Sequence, residues 1–226
     1  MKTKKNTSIE VKRADLVRRE LKKLYPGELQ TPLNYSSDID LLVAVMLSAQ
    51  STDKGVNKLT SSLFETYKGV EDYVRVPIKT LETELASINY YHTKARNIQK
   101  TMAIIFEKHA GVVPDSMEQL LDLPGVGRKT ANVVLGHLFQ KVIGIAVDTH
   151  VIRLSRKFGL TKSHDALHIE KELMLLIPQK DWWEFSHRIK AYGREVSPAR
   201  RGNDDPISQK LLKQELLQEV IGGRYY

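Results

Sequence analysis

Apolar residues recur at three- and four-residue spacing along most of the chain. Leu16, Leu21 and Leu24 fall on one side of an N-terminal segment, and the same period fills 41–47, 56–67, 98–106, 151–158, 169–177, 182–192 and 211–221. Prolines 26, 32, 77, 114, 124, 178, 198 and 206 fall between these segments, where a residue without an amide hydrogen breaks no helical ladder. The pattern predicts an all-α protein. The one β-like stretch, 142–147, reads as a buried connector, and no internal repeat interrupts the series.

The densest signal lies at Leu120-Leu121-Asp122-Leu123-Pro124-Gly125-Val126-Gly127-Arg128-Lys129-Thr130. Apolar positions before Pro124, and Ala131, Val134, Leu135 and Leu138 after it, predict two helices joined by a tight turn. Two glycines leave backbone amides bare at the positive end of the second helix, where a phosphate can be held without reading a base. Pro-Gly turns also join helices that bind nothing. Lys129 changes the picture, because a cation is unfavourable in the first helical turn. A solvated lysine there is ordinary. A partly buried one would have a lowered pKa and an amine free to attack a sugar carbon.

Asp148, in Val147-Asp148-Thr149-His150, precedes an apolar-periodic run and so predicts a helix N-cap. The apolar lead-in 142–147 gives it a second reading: a carboxylate brought out of a buried segment, able to stabilise an oxocarbenium-like sugar and move protons. The segment Leu47-Ser48-Ala49-Gln50-Ser51-Thr52-Asp53 is a loop between two helices, where a glutamine is usually solvated. His164 and His168 stand four apart on a predicted helix, but without a third partner they read as surface residues, so no metal site is assigned. Trp182, Trp183 and Phe185 read as core residues.

The glycine turn with Lys129, the Val-Asp-Thr-His run and the Leu-Ser-Ala-Gln-Ser-Thr-Asp loop together resemble the endonuclease III family of helix-hairpin-helix base-excision DNA glycosylases, over residues from about 33 to 201. The resemblance implies two helical lobes with the active site in the cleft between them. Residues 33–145 would form one, with the hairpin at 120–138; residues 1–32 and 146–226 would form the other. It implies that Lys129 attacks C1′, that Asp148 assists, and that Gln50 fills the hole left by an extruded base. Ile88-Asn89-Tyr90-Tyr91-His92 is similar to a second loop that wedges the duplex, with Tyr90 where the family often has leucine. Tyr90 could stack on a base, although a partly packed surface aromatic is the plainer account. The DNA-contacting set is thus Gln50, Tyr90, Gly125, Val126, Gly127, Arg128, Thr130, Arg200 and Arg201.

One departure is large. Family members often hold an iron-sulfur cluster on four cysteines after a Gly-Arg pair, whereas this chain has no cysteine and Gly193-Arg194 leads to Ser197. Cluster iron is normally held by thiolates, so no such cofactor is expected. The family's hairpin can also hold a monovalent cation.

Net charge is +8 and the pI near 9.5, which favour a polyanionic partner. Positions 1–25 carry nine Lys or Arg against three acidic residues, either a basic arm on DNA or the wet face of a helix. No apolar run approaches the length of a membrane span and no signal peptide is legible, so a monomeric, cytoplasmic, nucleoid-associated protein is expected. Its expected substrate is duplex DNA with damaged pyrimidines or abasic sites. The alternatives are a monofunctional mismatch or adenine glycosylase of the same fold and a non-catalytic helix-hairpin-helix DNA-binding protein.

Overall fold

The computed structural model describes residues 8–27, 31–200 and 202–214. Among these are twelve α-helices and no strand: α1 Ser8–Leu24, α2 Asp38–Ser48, α3 Asp53–Thr66, α4 Val70–Arg75, α5 Ile78–Glu84, α6 Tyr91–Lys108, α7 Met117–Leu121, α8 Arg128–Phe139, α9 Thr149–Lys157, α10 Ala166–Leu176, α11 Trp182–Glu195 and α12 Pro206–Lys213. The chain divides into two compact units, Gln30–Lys141 and Met1–Leu29 with Val142–Tyr226. No described helix is long and apolar enough to cross a membrane.

In the unit 30–141, α2 is the central element and packs against α3, α6 and α8. Its run from Leu41 to Leu47 is buried on every side, which is why it reads as unbroken hydrophobicity rather than as one stripe. Hydroxyl caps start these helices: Ser37 accepts from the Asp40 amide, Thr52 from Gly55 and Ser116 from Gln119. Two short helices, α4 and α5, carry no legible period, because each spans under two turns and Pro77 separates them. α6 begins at Tyr91, so Tyr91 and His92 of the expected wedge loop are helical.

In the other unit, α1 packs on α10, α11 and α12, and α9 on α10 and α11. The connector 142–147 is not a strand; Ile145 and Val147 sink into this core and lead directly to the cap of α9. Pro206 opens α12 at its first position, where its missing amide hydrogen costs nothing. The helix expected over 211–221 lies partly, and the stretch 1–7 wholly, outside the described residues. His164 precedes α10 rather than lying on it, and His168 meets Glu172 at 3.3 Å. Phe185 is core, whereas Trp182 and Trp183 are only half-buried.

Candidate functional site

The turn from α7 to α8 follows from its two glycines, which have different reasons to be there. Val126 donates its amide to the Leu123 carbonyl at 3.0 Å, and Thr101 Oγ1 on α6 donates to the Pro124 carbonyl at 2.9 Å. Gly125 is left-handed (φ +82°), and a Cβ there would meet Asn97 Nδ2 at 2.8 Å. Gly127, the N-cap of α8, has φ −90°, and a Cβ there would meet nothing within 4 Å. The protein's own packing therefore demands glycine at 125 but not at 127, where only an approaching group would need the space. Gly125→Ala is expected to lose about 1–2 kcal/mol in urea unfolding. Gly127→Ala should stay within about 0.5 kcal/mol of wild type, yet bind duplex DNA several-fold more weakly in a fluorescence anisotropy titration.

One expectation about the turn needs correction. Val126 does not face a ligand: its side chain is in the core and its amide is already donated, so it anchors the turn. Lys129 is exposed, the ordinary state of a lysine at a helix start. Arg128 and Thr130 flank it, half-buried, in the first turn of α8. Helix start and exposed lysine thus share one rim of this unit.

On the same unit, two further loops converge with the turn. Gln50 and Tyr90 both adopt left-handed backbone (φ 53° and 59°), a costly state for residues with a Cβ. Tyr90 is 64% exposed, as a partly packed surface aromatic is. Gln50, Tyr90 and Gly125, with Ala49, Thr93 and Asn97, border one cavity of about 180 Å³. A larger hollow of about 400 Å³ near Asn34, Asn57 and Lys68 touches none of the residues nominated above; three nominated residues meeting at one cavity is the more informative observation.

In the other unit, Asp148 caps α9, its Oδ1 accepting from the amides of His150 (2.8 Å) and Val151 (2.9 Å). The cap reading is thereby fulfilled, and Oδ2 keeps no hydrogen-bond partner among the described residues. Burial pushes the His150 imidazole below its ordinary value, only partly opposed by the Asp148 charge. Gly193 is glycine because His150 packs on it: a Cβ there would meet the imidazole Nδ1 at 2.8 Å. Arg200 is exposed on the segment after α11, and Arg201 lies outside the described residues.

Residues 43–179 match the model of the HhH-GPD superfamily base excision DNA repair proteins. The chain is 49% identical over 181 residues to endonuclease III of Synechocystis sp., covering 80% of this chain and 82% of that relative. It is 47% identical over 163 residues to endonuclease III of Bacillus subtilis, covering 72% and 74%. The chain therefore belongs to the endonuclease III family of that superfamily. A solved structure of a trapped endonuclease III–DNA covalent intermediate, an estranged-adenine complex, aligns with a TM-score of 0.83 at 39% identity, covering 89% of this chain and 98% of that one.

The residues after Gly193-Arg194 do not suit a thiolate-held cluster. The chain has no cysteine, and no group of three or more His, Cys, Asp or Glu suited to a metal occurs among the described residues. Asp205 occupies the centre of this region instead. It is 0% exposed and accepts from Tyr192 Oη, from Ser208 Oγ at 2.7 Å and from the Ser208 amide at 3.1 Å. Lys157 Nζ pairs with it at 2.6 Å and donates to Ser197 Oγ at 3.0 Å. Arg153 donates to the Ser197 carbonyl at 2.7 Å. These bonds join α9, α11, the segment 196–205 and α12, and nothing in the composition announced them.

Proposed function

We propose that this protein is a bifunctional DNA glycosylase and AP lyase of base-excision repair, acting in the cytoplasm on chromosomal duplex DNA that carries oxidised pyrimidines or abasic sites. The observation that carries this reading is the exposed amine of Lys129 one residue into a helix whose entry turn presents the Gly125 and Gly127 amides. Those amides hold the backbone phosphate beside the lesion, and the damaged nucleotide is turned out of the stack. Lys129 Nζ, unprotonated, forms a bond to C1′ as the bond from C1′ to the base breaks and the base leaves with a proton. The amino sugar then opens: the C1′–O4′ bond breaks, O4′ takes a proton and the nitrogen lone pair forms the Schiff base, which acidifies C2′; loss of that proton expels the 3′ phosphate by β-elimination and nicks the strand. Lys129 is exposed and has no hydrogen-bond or ion-pair partner among the described residues, so desolvation of its amine falls to bound DNA. Asp148 stabilises the cationic sugar and carries protons through Oδ2.

On a duplex with one abasic site, wild type is expected to give a nicked strand ending in a 3′ unsaturated aldehyde, and a covalent complex on borohydride treatment. An intact strand with no trapped complex would overturn the reading. A thymine-glycol duplex from which base is released without any nick would instead favour the monofunctional alternative. Asn is as good an N-cap as Asp, so Asp148→Asn should keep the unfolding midpoint within about 0.5 kcal/mol of wild type. Its single-turnover base release should nevertheless slow about a hundredfold.

A further inference from the structure

Gln50 and Tyr90 are joined by a buried connection that their sequence positions, forty residues apart, do not suggest. Lys94, on the first turn of α6, is only 8% exposed; its Nζ donates to the Leu47 carbonyl at 2.8 Å and to Ser51 Oγ at 2.9 Å. Those acceptors straddle Ala49 and Gln50: one is a terminal carbonyl of α2, the other the first side chain after the turn. Asn89 Nδ2, next to Tyr90, donates to the Gln50 carbonyl itself at 3.2 Å. No carboxylate pairs with Lys94 among the described residues, and burial pushes its ammonium below the ordinary value. A buried cation without a counter-charge is costly to keep, and here it replaces what capping and turn residues would normally do for the C-terminal end of α2.

We propose that Lys94 is a positioning residue: with Asn89, it holds the Gln50 turn in its left-handed conformation and fastens it to the Tyr90 loop, so that both side chains enter the duplex as one preset unit. The inference rests on the reading of Gln50 as the residue that fills the opened stack. Free of these three bonds, Gln50 would relax toward ordinary backbone, since the left-handed state is unfavourable for a residue with a Cβ. The wedge would then have to be assembled on the DNA rather than beforehand. That loss falls on lesion binding, not on the chemistry at Lys129.

The test is steady-state nicking of an abasic duplex by wild type, Gln50→Ala, Lys94→Met and the double variant. Lys94→Met is expected to raise KM about tenfold with kcat within about threefold, Gln50→Ala to do much the same, and the double variant to be no worse than Gln50→Ala alone. Multiplicative losses in the double variant, or a fall in kcat rather than a rise in KM for Lys94→Met, overturn the positioning role while leaving Gln50 in place. A Gln50→Ala variant with unchanged KM overturns the reading of Gln50, and this inference with it. Should Lys94→Met fail to fold, Asn89→Ala decides. It severs the link at an exposed position and should raise KM about threefold in wild type but not on the Gln50→Ala background; a rise on both overturns the proposal.

Discussion

Lys129→Ala is expected to abolish borohydride trapping on an abasic duplex and to lower strand nicking by about three orders of magnitude. The same change should slightly stabilise the fold. Lys129 is exposed, has no hydrogen-bond or ion-pair partner among the described residues, and stands in the first turn of α8, where the helix dipole disfavours a cation by a few tenths of a kcal/mol. Duplex affinity should fall less than about threefold, because a single charge is lost while the amide grip of the turn remains. Gel trapping, urea unfolding and anisotropy titration therefore report on three separate things. A variant that still forms the covalent complex removes Lys129 as the nucleophile, whatever its effect on rate.

Asp205→Ala carries the largest expected cost in stability, about 3–5 kcal/mol in urea unfolding, because it strands the Lys157 ammonium, whose side chain is 11% exposed. Tyr192 Oη and Ser208 Oγ lose their acceptor with it. The pH dependence follows from the same contacts. Burial alone would raise the Asp205 carboxyl, but Lys157, Tyr192 and Ser208 outweigh it and hold the group below the ordinary carboxylate value. A depressed folded value means that the contribution is fully present above the unfolded pKa of about 3.9 and is lost as the pH falls from there through the folded value. Stability of wild type should drop across that window more steeply than that of Asp205→Ala. Parallel curves for the two proteins would show that Asp205 is not the group responsible.

The network also explains how the segment after Gly193-Arg194 is held without thiolates. A carboxylate, an ammonium and three hydroxyls perform the cross-linking, drawn from four elements spread over some fifty residues. Each of these residue types is common, and none stands in a spacing that marks a site. Lys94 was illegible for the same reason: a lysine in an amphipathic helix reads as solvated until the α2 carbonyl it serves is located. The opposite holds for Asp148, whose cap is made with the amides two and three residues further on. The error at Val126 has the same source: it sits among bare-amide positions in sequence but faces the core, and which of the two states open to Lys129 is adopted depended on neighbours that no local pattern supplies.

What the chain alone determined was the all-helical character, the tight turn before Lys129, the cap at Asp148 and the resemblance carried by three short motifs. These depend on periodicity and on bonds between near neighbours, which any reader of the chain can count. The left-handed setting of Gln50 and Tyr90, the cavity they share with Gly125, and the Lys94 and Asp205 networks were decided only by tertiary structure. Apart from Ser208, three residues from Asp205, their partners lie 13 to 75 positions away, and no local spacing announces them.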